Sequence, residues 1–372
     1  MAAIELLDIV KRYKKETVLD GVSLSLAEGE TLVLFGPSGA GKTVLLRLIA
    51  GVIEPDDGTL RLNGRNMLDV PPELRDIGMA FQNFALFPHM NAFDNIASPL
   101  AAKRRPTERV REGVDRVARL LKIDQVLTHK PRALSNGQKQ RTALARALAG
   151  APSLLLLDDP LRNVDAKLRF EMRLELPRLL AAERASTLYV TQDYKEAMAL
   201  ADRIAVLFRG RIAQLGTPEE IYLSPASLEI ARLFGDPTIN VLDVVPEQDA
   251  QGPFVRLSKL RAPIDPGLGH AIGRACSLGL RPEAIRFVEA GDAGAIPVTI
   301  EAETPLNEKI VTLVTTARGR EILVSRPSGQ PGPTDGIAHI AVDSAHALLF
   351  DRETGLRIDP NRRGADVRGA AA

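Results

Sequence analysis

The sequence is poor in cysteine and in aromatic residues. Among its 372 residues it has one cysteine, no tryptophan and 4% aromatic residues. Because a single cysteine, Cys276, cannot form a disulfide within the chain, a secreted fold held together by disulfides is excluded and a reducing compartment is favoured. The scarcity of aromatic side chains leaves few surfaces on which nucleic-acid bases could stack.

The chain also lacks a charge excess and a long apolar run. It carries 48 Lys and Arg against 47 Asp and Glu, a formal net charge of +1, whereas a general nucleic-acid binder is expected to be clearly basic. No uninterrupted apolar run approaches the roughly 20 residues of a membrane-spanning helix. The first 15 residues contain acidic side chains and no small-residue cleavage site, so no signal peptide is predicted. We therefore expect no nucleic-acid partner, and a membrane role only through partner chains.

The pattern of apolar residues changes at about residue 237. Up to about Pro237, continuous apolar runs such as TLVLF and SLLLLDD alternate with helix-length segments, which predicts a parallel sheet covered by helices on both faces. After about Asn240 the runs are short, β-branched and separated by Pro and Gly, as in a small all-β domain. We predict domains at 1–237 and 238–360, and a disordered tail at 361–372.

A glycine-rich segment at 36–43, GPSGAGKT, follows the run TLVLF and precedes a helix-forming stretch. This strand, loop and helix setting is the one in which a phosphate-binding loop is found. Its glycines let successive backbone N–H groups converge on phosphate oxygens, Lys42 adds positive charge at the β- and γ-phosphates, and the Thr43 hydroxyl can bind Mg²⁺. The predicted nucleotide-binding residues are Gly36, Pro37, Ser38, Gly39, Ala40, Gly41, Lys42 and Thr43.

Two carboxylates follow the apolar run at 154–157. Asp158 is predicted to bind Mg²⁺, and Asp159 to orient or deprotonate a water molecule. An Asp pair in this position could instead cap a helix. The phosphate loop in the same chain favours the functional interpretation.

Further motifs resemble those of the ATP-binding subunit of an ABC transporter. They are LSNGQKQR at 134–141, YVTQDYKEAMALADRIAVLFRGRI at 189–212 and FQNFALFPHM at 81–90, in the order of that family. Downstream, SLGLRPEAIRF and HALLFDRETGLRI resemble the C-terminal regulatory domain of importers for maltose, glycerol phosphate and related sugars. The resemblance implies ATP and Mg²⁺ as cofactors. It also implies a doubly wound α/β ABC ATPase domain with a helical subdomain at about 88–149, followed by an all-β, OB-type (TOBE-like) domain.

The resemblance assigns roles to residues outside the phosphate loop. Tyr13 is similar to the aromatic residue that stacks on adenine, although its position would also suit a surface tyrosine. Gln82 resembles the residue that reaches Mg²⁺ and the attacking water, so the implied metal-binding residues are Thr43, Gln82 and Asp158. The segment at 83–95 resembles the one on which a permease docks.

Other motifs resemble parts of the interface between two ATPase subunits. Ser135, Asn136, Gly137 and Gln138 correspond to the signature motif, which contacts the ATP held by the opposite subunit. Asn163 and Asp165 correspond to the loop that crosses between the subunits. The resemblance therefore implies a second ABC ATPase subunit as a partner.

Four positions depart from the family pattern. Asp159 stands where Glu is expected, Gln192 where His is expected, Asn136 in place of a glycine and Arg162 in place of a small Ser. Shortening Glu to Asp withdraws the carboxylate by about 1 Å, and a displacement of that order can cost about a hundredfold in rate. Gln192 can donate a hydrogen bond to a phosphate, but it cannot carry the positive charge of a histidine. We expect this chain to bind ATP and to hydrolyse it slowly.

The sequence thus predicts the energy-coupling subunit of an ABC importer, as the hydrolysis-impaired half of an ATPase heterodimer. The alternatives are a homodimeric importer ATPase of reduced activity and an ABC-type regulatory ATPase outside transport. The implied partners are two transmembrane permeases and, indirectly, an external solute-binding protein. The implied location is the cytoplasmic face of the bacterial inner membrane, and the implied solute is a carbohydrate or a polyol, with glycerol as one candidate.

Overall fold

The structure is a computed structural model that describes residues 2–14, 16–183, 185–257, 260–292, 294–333, 336–343 and 346–360. The chain divides into two compact units, Met1–Pro218 and Glu219–Ala372. The tail predicted at 361–372 lies outside the described residues. The predicted domain boundary at Pro237 stays a prediction, as do the limits of the helical subdomain.

The first unit is a mixed α/β structure. Its strands are β1 (Ala2–Tyr13), β2 (Glu16–Ala27), β3 (Thr31–Phe35), β4 (Asp57–Leu62), β5 (Arg65–Asn66), β6 (Ile77–Ala80), β7 (Leu154–Asp158), β8 (Ser186–Thr191), β9 (Arg203–Phe208) and β10 (Arg211–Gly216). Its helices are α1 (Lys42–Ala50), α2 (Ala92–Ala102), α3 (Thr107–Leu120), α4 (Asn136–Leu148), α5 (Ala166–Glu183) and α6 (Tyr194–Leu200).

A six-stranded sheet forms the centre of this unit, with the strand order β10-β9-β3-β8-β7-β6. β6, β7, β8, β3 and β9 run parallel, and β10 is an antiparallel edge strand. Every residue of β7 and β8 is buried, because helices cover both faces of the sheet. The predicted parallel sheet is confirmed. Since the carboxyl ends of parallel strands meet at one edge, the loops after β3, β7 and β8 come together there.

A second, four-stranded sheet has the order β2-β1-β4-β5 and is antiparallel. Its inward residues share one apolar core with α1 and with the central sheet. The β2 strand approaches the start of α1 closely enough that a Cβ atom on Gly41 would lie 3.0 Å from the carbonyl oxygen of Val18. The hairpin of β1 and β2 is thereby held next to the glycine-rich loop.

The second unit is built mainly of antiparallel strands, as the sequence predicts. After α7 (Pro218–Leu223), which begins at the last residue of the first unit, and α8 (Leu228–Leu233), its strands are β11 (Asn240–Val244), β12 (Glu247–Asp249), β13 (Gly252–Leu257), β14 (Leu260–Pro263), β15 (Cys276–Leu280), β16 (Ile285–Val288), β17 (Ile296–Leu306), β18 (Lys309–Thr316), β19 (Glu321–Pro327), β20 (Ile337–Val342) and β21 (Leu348–Asp351). They form sheets of the orders β11-β15-β21, β12-β13-β14 and β16-β20-β17-β18-β19 around an apolar core. None of the described helices is both long and apolar enough to cross a membrane.

Candidate functional site

The glycine-rich loop connects β3 to α1 and depends on its glycines. Gly39 and Gly41 have φ angles of 82° and 102°, in the left-handed region that favours glycine. A Cβ atom on Gly36 would lie 2.2 Å from the backbone oxygen of Leu207. A larger residue at Gly36 would therefore displace neighbouring backbone, whereas at Gly39 and Gly41 it would strain the left-handed conformation.

Lys42 lies inside the curl of this loop. Its Nζ donates hydrogen bonds to the carbonyl oxygens of Gly36 (2.7 Å) and Pro37 (2.8 Å). Burial lowers the pKa of the ammonium group, while Asp159 and Asp158 raise it. Because the ammonium group is bonded to carbonyl groups of its own loop, a phosphate could take up its charge without displacing a carboxylate.

Asp158 and Thr43 form the second part of the site, where β7 ends beside the first turn of α1. The Thr43 hydroxyl lies beside the Asp158 carboxylate, which is only 9% exposed. Burial raises the pKa of Asp158, and Arg47, Thr43 and Lys42 lower it. A hydroxyl and a carboxylate together present the hard oxygen ligands that Mg²⁺ prefers next to phosphates. The residues present therefore fit a magnesium nucleotide.

Asp159 follows in a left-handed backbone conformation, with a φ angle of 45°, which is uncommon for a residue other than glycine. Its backbone N–H donates to the carbonyl oxygen of Val190 (2.8 Å), which fixes the carboxylate at the edge of the sheet. Its Oδ2 lies 3.6 Å from the guanidinium of Arg162. Burial raises the pKa of Asp159, Arg162 lowers it and Asp158 raises it further. Two of the departures from the family pattern, Asp159 and Arg162, thus form an ion pair.

Gln192 follows β8 and contacts the glycine-rich loop. The Ser38 hydroxyl donates a hydrogen bond to its Oε1 (2.7 Å). These residues are 154 positions apart, so only the parallel pairing of β3 and β8 brings them together. The structure therefore places the loop, Asp158, Asp159 and Gln192 at one edge of the sheet.

Behind Gln192 lies a buried polar network that the sequence analysis did not identify. The Glu196 carboxylate accepts hydrogen bonds from the Tyr189 hydroxyl (2.8 Å) and the Thr191 hydroxyl (2.9 Å). Burial is the main cause that raises the pKa of Glu196 to about 7. Tyr189 and Thr191 share one face of β8 because side chains alternate along a strand. Their spacing of two residues was the feature of the sequence from which this shared face could have been predicted. The network holds the end of β8 from which Gln192 projects.

The segment that contains Gln82 is fixed by side chains from elsewhere in the unit. The Asn163 amide donates to the carbonyl oxygen of Gln82 (2.8 Å). Arg146 on α4 donates to the carbonyl oxygens of Phe84 and Ala85, both of which have positive φ angles. Arg146 was not among the residues predicted from the sequence, because a single arginine within a helical pattern gives no signal of this role.

The same segment is anchored by Asn95 on α2, which is fully buried. Its Oδ1 accepts from the backbone N–H of Phe87 (2.7 Å), and its Nδ2 donates to the carbonyl oxygen of Asn91 (2.9 Å). This side chain also was not predicted to act in the site.

The segment resembling the signature motif forms the N-terminus of α4. Ser135 and Gln138 make a reciprocal capping box, in which each side chain accepts from the other residue's backbone N–H at 3.2 Å and 2.9 Å. A Cβ atom on Gly137 would lie 2.6 Å from a methyl carbon of Leu168, so α5 packs directly on this turn. Within the described part of the chain, no hydrogen bond links Ser135 or Gln138 to the glycine-rich loop. Their predicted role toward a partner's nucleotide stays a prediction, as does that of Asn136.

Two predicted residues lie at the borders of the site. Asp165 caps the start of α5, where its Oδ1 accepts from the backbone N–H of Leu168 (2.9 Å). Tyr13 ends β1 and is 45% exposed, with the Nζ of Lys11 5.6 Å from its ring centroid. The exposed ring on the hairpin beside the loop has room to stack on a planar ligand, and this role stays a prediction.

Comparisons with known proteins agree with this architecture. The profile of the ABC transporter family matches residues 19–162, and that of the TOBE domain matches residues 278–350. The chain is 38% identical over 362 residues to the sn-glycerol-3-phosphate import ATP-binding protein UgpC of Yersinia pseudotuberculosis, which covers 97% of this chain and 100% of the relative. It is 37% identical over 381 residues to the trehalose/maltose import ATP-binding protein MalK of Thermococcus litoralis, covering 96% and 100%.

A solved structure is also similar. It is a dimeric post-hydrolysis state of an ATP-binding cassette bound to ADP and Pi, with 30% identity and a TM-score of 0.53 over 58% of this chain and 98% of that one. The predicted fold, an ABC ATPase unit followed by an antiparallel TOBE domain, is confirmed. By its sequence along nearly its whole length and by its fold, the chain belongs to the family of ABC transporter ATP-binding proteins.

Proposed function

We propose that this chain is the ATP-binding, energy-coupling subunit of an ABC importer for a carbohydrate, a polyol or a glycerol phosphate. The observation that carries the proposal is the loop in which Lys42 faces backbone carbonyls while Thr43 and Asp158 pair beside it. This arrangement suits the triphosphate of Mg-ATP. The import relatives, which match over the whole length of their chains, support an importer.

Energy coupling would use the segment at 83–95. Binding of ATP between two ATPase subunits closes the pair, and hydrolysis reopens it. Next to this segment the first unit has a groove of about 540 Å³. Exposed Phe81 and Phe87 and the partly buried Pro99 supply apolar surface there. We propose that a cytoplasmic segment of a permease docks in this groove, so that movement of the Gln82 segment reaches the membrane.

Hydrolysis in the site on this chain is proposed to be slow. The Asp159 carboxylate is one methylene shorter than Glu and lies 3.6 Å from the Arg162 guanidinium, so it extends less far toward an attacking water. Gln192 is engaged with Ser38 and carries no charge to place against the γ-phosphate. Both features act on the chemical step, whereas the groups that bind ATP are retained.

The signature segment favours a heterodimer. Ser135 and Gly137 are retained at the N-terminus of α4, where a phosphate of the partner's ATP would be stabilised by backbone N–H groups. We propose that a second, intact ABC ATPase subunit performs most of the hydrolysis against this surface. A homodimer of low activity is the alternative, and it would contain two slow sites.

The remaining partners are proposed to be two transmembrane permeases and, indirectly, an external solute-binding protein. The proposed location is the cytoplasmic face of the bacterial inner membrane. Glycerol is one candidate among these solutes, because a pair of unequal ATPases combined with a sugar-type C-terminal domain would suit a dedicated polyol importer.

Reconstitution tests this function. The chain would be co-expressed with the proposed permeases and second ATPase, and ATP-dependent uptake of glycerol, sn-glycerol 3-phosphate and maltose would be measured in vesicles. We expect uptake of one of these solutes, and its loss with Lys42→Ala. Unchanged uptake when this chain is omitted would contradict the proposal. Size measurement of the chain alone and with the second ATPase, in the presence of ATP, separates the homodimer from the heterodimer.

A further inference from the structure

The second unit contains a cavity of about 1060 Å³ that no part of the proposed ATPase function uses. Cavities of roughly 300–1000 Å³ are typical of sites for small molecules. Its floor is made by buried side chains of the all-β core, among them Ile264, Leu268 and Leu349. A floor that belongs to the packed core gives the cavity a fixed shape.

Arg281 forms one wall of the cavity, and its guanidinium already has hydrogen-bond partners. The Arg281 guanidinium donates to the carbonyl oxygens of Tyr222 (2.7 Å) and Phe234, and it lies 3.6 Å from the centroid of the Tyr222 ring. Arg281 is 5% exposed, so its contacts hold α7 and the end of α8 against the end of β15. This arginine builds the cavity and has little capacity left for a ligand.

The acidic residues that line the cavity also have local partners. Glu283 accepts a hydrogen bond from the Tyr222 hydroxyl, and Asp265 accepts from the backbone N–H of Gly267 (2.8 Å). Asp343 lies 3.1 Å from the ring of His346. These contacts already engage some of the carboxylate oxygens that face the cavity.

Two further arginines line the cavity without such partners. Within the described part of the chain, neither the Arg286 nor the Arg357 guanidinium makes an ion pair or a side-chain hydrogen bond. The backbone of Arg357 is fixed, because its N–H donates to the carbonyl oxygen of Ala226 (2.9 Å). Arg286 is fixed by its place in β16, paired with Ala341 of β20. Both side chains therefore project from rigid backbone.

We propose that this cavity binds a small organic anion, with a phosphate or carboxylate group held by Arg286 and Arg357. The planar guanidinium fork matches both groups in a bidentate manner. The lining contains three arginines against three carboxylates, so its formal charge is zero with His346 neutral. Binding would therefore depend on hydrogen bonds from the guanidinium N–H groups rather than on a strong positive potential. This suits a polar ligand that carries one anionic group.

Calorimetry on the full-length chain tests this site. The probes are sn-glycerol 3-phosphate, glycerate as the carboxylate counterpart, and glycerol as the neutral counterpart. All proteins carry Lys42→Ala, so that the phosphate loop contributes little to binding. The variants are Arg357→Gln and Arg286→Gln, with Arg232→Gln as the control, because Arg232 is an exposed arginine of the same unit outside the cavity.

We expect saturable binding of one or both anions and none of glycerol. Losing a charge-assisted pair should weaken binding about tenfold or more in Arg357→Gln and Arg286→Gln, and Arg232→Gln should bind as the parent does. Binding of the phosphate alone or of the carboxylate alone identifies the ligand class. Absence of binding by both anions would overturn the proposal, as would equal binding by all three variants and the parent. A circular dichroism spectrum of each variant checks that it is folded.

Discussion

The buried Glu196 makes the stability of the first unit dependent on pH. Its carboxyl is 1% exposed and has a pKa raised from 4.5 to about 7. In the folded state the ionised form is therefore penalised relative to the unfolded chain. The penalty begins as the pH rises above about 4.5, where the unfolded carboxyl ionises, and it is complete above about 7. This increase in the pKa of Glu196 corresponds to about 3 kcal/mol of unfolding free energy.

Replacement by Gln removes this titration. In Glu196→Gln the amide oxygen can still accept from the Tyr189 and Thr191 hydroxyls, which both donate to one carboxylate oxygen in the structure. The unfolding free energy of the wild type, measured relative to that of Glu196→Gln, should therefore fall by about 2–3 kcal/mol between pH 5 and pH 8. Urea unfolding at several pH values measures the difference.

The control is Glu171→Gln, which replaces an exposed glutamate on α5. Its difference from the wild type should stay nearly constant over the same range. If the difference between wild type and Glu196→Gln were also constant with pH, the reasoning from burial would be refuted.

Three further predictions concern the loop and its supports. Lys42→Ala should weaken ATP binding about tenfold or more, as measured with a fluorescent ATP analogue, because a charged donor to the phosphates is lost; unchanged affinity would contradict the assignment. Asn95→Ala should lower the unfolding free energy by about 1–3 kcal/mol, since the fully buried amide of Asn95 loses its hydrogen bonds with the backbone of Phe87 and Asn91, and a neutral effect in urea unfolding would argue against the anchor. Gly137→Ala should destabilise the chain through contact with Leu168, and Leu168→Ala should relieve part of that loss; additive effects in this double-mutant cycle would show that the two do not meet.

The elements that could be predicted from the sequence are those whose signal is local. The loop at 36–43 combines its glycines, lysine and hydroxyl within eight residues, and the apolar run before Asp158 marks a strand buried on both faces. The change at Asn240 to short, β-branched apolar runs coincides with the start of β11. The short helices α7 and α8 before it contain no long run of apolar residues at helical spacing, so they were not predicted from the sequence.

The contacts that could not be predicted join distant segments. Ser38 meets Gln192 only because β3 and β8 are neighbours in the sheet. Asn95 looks like an ordinary polar position in an amphipathic helix, yet its side chain is buried and organises the loop before α2. Asp159 and Arg162 are only three residues apart and both depart from the family pattern, but their ion pair became evident only in the structure.

Single-turnover hydrolysis of ATP tests the central claim most directly, which is that this chain binds ATP and hydrolyses it slowly. The wild type would be compared with Asp159→Glu combined with Gln192→His, and with Arg162→Ser added to that pair as a further variant. We expect similar ATP affinity in all three proteins and a hydrolysis rate about a hundredfold higher once the carboxylate is extended and the histidine restored. Brisk hydrolysis by the wild type alone, or no gain in either variant, would contradict it.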